Sequence, residues 1–181
     1  MAITVCCNLT KNLLKGNNCG YSLPEVKDIY IANYTDVTNA PLDYNSESGV
    51  TISGFSGASG SVYHIEPAKN SVTFTDELVV NDNGSKYRTH TLTFTIDGKY
   101  DKDMVCPVDA LALGRFFVVV KTADGVYLAL GRSTGLEASE QSVAGGGDNN
   151  GITVTLSANV AESAVPLSDT AVSEMLALVH A

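Results

Sequence analysis

Two stretches of this chain alternate apolar and polar residues with a period of two, and that pattern constrains the fold more than any other feature. Thr91-Leu92-Thr93-Phe94-Thr95-Ile96 puts Leu92, Phe94 and Ile96 on one side of an extended backbone and threonines on the other. The run from Ile152 to Val160, ITVTLSANV, repeats the pattern over a longer span. A helix would scatter such residues around its axis. An antiparallel strand with one dry and one wet face sorts them cleanly. Val72 to Thr75 and Val126 to Leu130 read the same way, and Lys27 to Ala32 is a plausible first strand. The unbroken apolar run FFVVV, Phe116 to Val120, suits a strand covered on both faces. Leu92, Phe94, Ile96, Phe116, Val118, Val154 and Leu156 are expected to share one core.

Turn residues fall between these runs. Asn81-Asp82-Asn83-Gly84, Asp97-Gly98 and Asp124-Gly125 all tolerate positive φ at little cost. VVVKTADGVYLAL is the strongest local hairpin, with its Asp-Gly between two strand patterns. Gly49 to Ser61 is rich in Gly and Ser but carries Val50, Ile52 and Phe55, so a strand followed by a loop is expected there.

Helical signal is confined to two places. Met104 to Gly114 offers Pro107 near a first turn, Val108, Leu111 and Ala112 at helical spacing, and a glycine to end it. Near the end of the sequence, Ser168 or Asp169 can cap a helix whose stripe is Val172, Met175, Leu176 and Val179. The expected fold class is therefore mostly β: an antiparallel β-sandwich or partly open barrel with one internal helix and a short C-terminal helix. Residues 1–167 form the single β domain, and residues 168–181 form a helix docking on it or on a neighbouring subunit.

Composition narrows the function classes. Eleven basic residues face twenty acidic ones, a net charge of −9, with no basic cluster. Tight nucleic-acid binding thereby loses its main driving force, phosphate neutralisation. No stretch approaches the roughly 20 apolar residues of a membrane helix, and MAITVCCNLTKN has too short an apolar run for a secretory signal. A cytoplasmic setting is expected, with Cys6, Cys7, Cys19 and Cys106 as reduced thiols. A zinc site built from Cys6, Cys7, Cys19 and one of His64, His90 or His180 is the alternative, and the cysteine spacing does not favour it.

The glycine-rich stretch VAGGGDNNG, Val143 to Gly151, poses a choice between a ligand loop and a turn. A phosphate loop needs Gly-Lys-Ser/Thr opening a helix, and here no lysine follows and a strand comes next. Asp148 is its lone carboxylate and the motif is not repeated, which disfavours calcium. A strand connection is the expected role. Catalysis finds equally little support. His64 and His90 lie on strand patterns, where solvent exposure is the ordinary fate, and no nucleophile elbow is present. Acidic pairs border turns, and Trp is absent, which disfavours a sugar-stacking platform although eight tyrosines remain. The sequence thus points to no catalytic, cofactor-binding or metal-binding residues, and to no cofactor.

Gly135 to Ala144 is polar and alternates weakly, and with Ile152 to Ala161 it would form a hairpin on the order of 30 Å long. Such an arm is expected to outgrow the domain and pack between subunits. The expected subunit interface comprises Ile152, Val154 and Leu156, with Glu137, Glu140 and Gln141 facing water or a channel.

In order along the chain, CCNLTKN, GNNCG, VKDIYIANYTDVT, a Gly-rich segment and YHIEPAKNSVTFTDELVVNDNGSKYRTHTLTFTI resemble small structural proteins of tailed bacteriophages and prophages of Bacteroidetes. PVDALALG, FFVVVKTADGVYLALG and GGGDNNGITVTLSANVAESAVPL continue the likeness, which spans roughly residues 6–167. Leu23-Pro24-Glu25 stands where a glycine pair would be expected, and the stretch beyond Leu167 lies outside the pattern. The resemblance implies a tail-tube-like fold of two packed sheets, a flanking helix and a long hairpin. It implies a non-enzymatic virion protein assembled in the host bacterial cytoplasm. Its copies would form a homo-oligomer, a hexameric ring stacked into a conduit through which DNA passes without specific binding. Other tail or neck proteins would be its partners, with no membrane involved. A neck or collar ring or a head-decoration protein is the alternative, and a carbohydrate-binding β-sandwich module is the rival of another class.

Overall fold

The structure, a computed structural model, describes residues 12, 25–45, 49–98, 100–145 and 151–180. In chain order the first strands are β1 (Val26–Asn33), β2 (Val37–Asn39), β3 (Leu42–Asn45), β4 (Gly49–Ile52), β5 (Ser56–Gly57) and β6 (Val62–Ile65). β7 (Thr73–Val80) and β8 (Lys86–Asp97) precede helix α1 (Lys102–Leu113). β9 (Arg115–Thr122), β10 (Tyr127–Leu130), β11 (Leu136–Ala144), β12 (Gly151–Val160) and β13 (Val165–Pro166) follow, and α2 (Asp169–Ala177) comes last. The fold is mostly β and consistent with an open sandwich or barrel.

Nine strands form one antiparallel sheet that bends on itself. β9 is the pivot. One of its edges pairs with β1 along its whole length, from Val26↔Thr122 to Asn33↔Phe116. The other edge is shared end to end: β10 pairs with residues 118–121 and β11 pairs with Phe116 and Arg115. Between β10 and β11 the chain makes an excursion from Gly131 to Gly135, where both glycines take positive φ. A Cβ at Gly131 would sit 2.8 Å from Leu136, and one at Gly135 would sit 2.4 Å from Arg115, so only glycine fits either position. This corner lets one strand leave the layer β6-β1-β9-β10-β13 and enter the layer β11-β12-β8-β7.

The first core lies between those layers. Leu92, Phe94, Phe116, Val118, Val154 and Leu156 are buried in it together, with Ile96 packed at its margin, as the alternation implied. Val108 and Leu111 of α1 close one end. The second core lies on the far side of β1 and β9. There Tyr30, Phe117 and Val119 meet Ile52, Phe55, Ala171 and Met175. FFVVV is buried on both faces because its alternate residues feed different cores.

Both helices differ from the sequence reading in detail. α1 begins at Lys102, with Asp101 accepting a hydrogen bond from the Asp103 N–H, so Pro107 lies inside the helix rather than in its first turn. Asp101 supplies the cap that sequence spacing had not revealed. α2 is capped by Ser168, whose hydroxyl accepts from the Ala171 N–H. Its dry stripe is Ala171, Val172 and Met175, continued past the helix by Leu178 and Val179, and it packs on the second core. Leu176, placed in that stripe from sequence, is exposed. The small alanine lets the helix approach the sheet more closely than a leucine would.

Candidate functional site

The Gly135 to Ala161 region forms the expected hairpin, with β11 and β12 paired from Glu137↔Ser157 to Ala144↔Gly151. Its connecting residues 146–150, including Asp148, lie outside the described residues. Cys6, Cys7 and Cys19 do so too, whereas Cys106 is described and exposed. β12 is an interior strand: its second edge pairs with β8 over ten residues, from Gly151↔Asp97 to Val160↔Arg88. The hairpin therefore does not stand clear of the domain as an arm.

That pairing corrects the expected interface. Ile152, Val154 and Leu156 are buried in the chain's own core, against Leu92 and Phe94, and present no surface to another subunit. The physical reason is that the opposite layer, through Ile29, Ile31, Val118 and Val120, covers the stripe within the chain, while β8 lies beside it with a matching apolar face in register. The three polar residues stay outside or half outside that core. Glu137 is exposed and bonded to Arg115 at 2.8 Å. Glu140 is exposed, beside a register shift between Ala138 and Glu140. Gln141 is half-buried, and its Nε2 donates to the Val108 carbonyl of α1 at 2.8 Å, tying the helix to β11.

The opposite face of the same layer carries the most regular chemistry of the molecule. Outward residues of β8 and β12 meet in four successive side-chain pairs: Thr89 with Asn159, Thr91 with Ser157, Thr93 with Thr155 and Thr95 with Thr153. The separations are 3.0, 3.4, 3.0 and 2.9 Å. Thr73 and Thr75 of β7 lie in register beside Thr93 and Thr91, and Ser142 of β11 beside Thr153. Glu77, Asp97, Glu137 and Glu140 stand among them, and the outward positions of these four strands hold no Lys or Arg. The surface is a sheet of hydroxyls that bond one another, edged by carboxylates.

Among the described residues neither outer strand of this layer has a second strand partner along its length, although α1 packs against β11. β7 pairs with β8 alone, and β11 beyond Glu137 pairs with β12 alone. Leu78 and Val80 on β7 are 55% and 56% exposed, and Val143 on β11 is also exposed. An open strand edge with apolar side chains is a pairing surface.

A second cluster lies at one end of the face that α2 partly covers. Asp28 Oδ1 is 3.0 Å from His64 Nε2, and its Oδ2 is 3.3 Å from Lys121 Nζ. Burial pushes the Asp28 carboxyl up, but the bonds from His64 and Lys121 outweigh it and hold the group below the usual range. The bond to Asp28 raises Lys121 in turn. His64 stacks on Tyr30 with centroids 5.0 Å apart, and the Lys121 ammonium sits 5.6 Å from the Tyr127 ring centroid. The rings thus already face partners within the chain. Contrary to the expectation for a strand histidine, His90 is buried, at 1% exposure.

A cleft of about 510 Å³ opens between the start of β7 and the β9–β10 turn, floored by Val26, Val72, Phe74 and Leu128 with Glu25 and Asp124 at its rim. Among the described residues no three His, Cys, Asp or Glu side chains are grouped to hold a metal ion. No helix among them is long and apolar enough to cross a membrane. A scan against family models finds no match for this chain, and a search of curated proteins finds none either.

Proposed function

We propose that the chain is a non-enzymatic virion structural protein, a tail-tube subunit whose copies close into a ring that stacks into a conduit for DNA. The observation that carries this is the β7-β8-β12-β11 layer: a face of paired, mostly hydroxyl side chains with carboxylates at its margin, whose one adjoining cation, Arg115, is paired with Glu137, lying between two outer strands without a second strand partner along their length among the described residues. DNA passing through a ring must not be gripped. Gripping depends on Lys and Arg displacing counterions, and carboxylates repel phosphate at short range. Hydroxyls that already bond one another offer few free donors to a phosphate oxygen. The two open edges supply what a ring needs, since a head-to-tail contact between unlike surfaces repeats from copy to copy and closes into a ring where its rotation divides a full turn. Under this proposal β7 of one copy pairs with β11 of the next. Leu78, Val80 and Val143 lose their exposure in that contact, and Glu137 and Glu140 stay on the wet face.

The carbohydrate-module reading is weaker on these grounds, because His64 and Lys121 already occupy positions over the Tyr30 and Tyr127 rings. Sedimentation velocity on the purified chain tests the proposal. The wild type is expected to sediment as a ring-sized multiple of 19.0 kDa, and the double variant Leu78→Lys, Val80→Lys as a folded monomer. A wild type that stays monomeric at millimolar concentration, or a double variant that assembles as readily, overturns it.

A further inference from the structure

The sole described histidine that the fold buries sits where the two layers join. His90 lies on β8 at 1% exposure. Its Nδ1 accepts a hydrogen bond from the Gly131 main-chain N–H at 3.2 Å. That bond fixes the tautomer: Nδ1 carries the lone pair and the proton is on Nε2. Nε2 faces Asp76 Oδ1 at 3.4 Å and has no hydrogen-bond partner among the described residues. The Asp76 carboxylate is already engaged, Oδ1 by Arg88 and Oδ2 by the Ala164 N–H at 2.9 Å.

Gly131 opens the corner excursion, so this bond ties β8 of one layer to the exit of β10 in the other. Three charged groups face the ring. Asp76 projects from β7, Arg88 from β8 itself, and Glu162 from the segment after β12, where it is paired with Arg132 of the excursion. Asp76 and Glu162 favour a charged ring; Arg88 opposes it. Burial opposes it most, and the net effect holds His90 below the ordinary histidine range.

We propose that His90 is a proton-operated latch on the corner between the two layers: a proton taken up on Nδ1 turns that acceptor into a donor, expels the Gly131 N–H and draws the ring toward Asp76. One N–H bond forms at Nδ1 from a solvent proton, and one hydrogen bond, Gly131 N–H to Nδ1, is lost. The rest of the excursion stays anchored by groups that do not change charge in that step. These are Arg132 to the Ala40 carbonyl at 3.1 Å, Tyr34 to the Ser133 carbonyl at 2.7 Å, and Gly135 N–H to the Gly131 carbonyl at 2.7 Å. Release is therefore confined to the Gly131 end, where it changes the freedom of β10 relative to β11. The latch is independent of the tube reading, since it is a property of the folded chain alone.

Two-dimensional NMR on ¹⁵N-labelled protein tests it between pH 7.5 and 4.5. The expected result is that the exchange protection factor of the Gly131 amide falls at least tenfold on acidification, along the same curve as the His90 ring nitrogens. In His90→Asn the amide oxygen stands in for Nδ1 as a non-titrating acceptor, and Gly131 protection should then be flat with pH. The proposal is overturned if Gly131 stays protected while the wild-type ring titrates. It is equally overturned if the ring stays neutral until the whole chain unfolds, or if a folded His90→Asn loses Gly131 protection along the wild-type curve. The wild-type ring and amide measurements decide the matter even where His90→Asn does not fold.

Discussion

Replacing Phe94 by Ala probes the first core at its centre. Phe94 is 0% exposed and stands on β8 opposite Val154, between Leu92 and the partly buried Ile96. A phenylalanine side chain buries on the order of 150 Å² or more, and at about 25 cal/mol per Å² its loss removes about 4 kcal/mol. The paired strands on both sides of β8 restrict collapse into the space left behind, so the cost belongs in the range of about 3–5 kcal/mol seen for buried aromatic truncations. With a urea m-value of roughly 2–3 kcal/mol/M for a chain of this size, the unfolding midpoint should drop by about 1.5 M. Urea titration followed by far-UV circular dichroism measures this. Leu113→Ala is the control, because Leu113 is 88% exposed at the end of α1 and should shift the midpoint by less than about 0.3 M. A Phe94→Ala loss below about 1 kcal/mol would refute the packing of the two layers around this residue.

Three other outcomes follow from named contacts. Met175→Ala should cost about 2–5 kcal/mol in the same titration, because Met175, on the inner face of α2, is wholly buried in the second core. Asp101→Ala removes the α1 cap and should cost about 1 kcal/mol, read as a lowered melting temperature. The Asp76 carboxyl is pushed up by burial but held lower overall by Arg88 and the Ala164 N–H. Its folded pKa lies below the unfolded value, so its stabilisation is complete above about pH 4. It is lost as pH falls through the folded pKa, and Asp76→Asn should flatten that part of an acid denaturation profile. For His90 the folded value is the lower one as well. The unfolded chain then binds the extra proton, so His90 lowers stability as pH falls below about 6.5. The two contributions occupy different pH windows.

Local pattern carried much of the fold. Leu92 to Ile96 and Ile152 to Val160 announced their strands and inward faces, and Asp124-Gly125 announced the β9–β10 turn, where Gly125 has φ +85. Which strand covers which was not local information. Ile152, Val154 and Leu156 read as a stripe in search of a partner subunit, and the opposite layer of the same chain covers them, with β8, some sixty residues earlier, in register beside them. The hydroxyl pairs were half legible: the threonines were plain in each strand, but the register that sets Thr93 against Thr155 comes from the fold. His90, Asp76, Arg132 and Glu162 carry no sequence signature, because their cluster is assembled from β7, β8, the Gly131 excursion and the segment after β12. Pro107 misled the reading of α1, since a proline can sit deeper in a helix than its first turn.

The central claim is that copies of this chain close into a ring through the two open edges of the hydroxyl-bearing layer. Electron microscopy of the purified chain tests it most directly, paired with a Thr73→Cys, Glu140→Cys double variant in which Cys6, Cys7, Cys19 and Cys106 are replaced by serine, run under oxidising conditions; Thr73 and Glu140 stand at the same level of the layer, on its two outer strands. Annular particles with an open centre, and a ladder of disulfide-linked multimers ending at the ring number, are the results the account predicts. Uniform 19.0 kDa particles with no cross-linked ladder would contradict it.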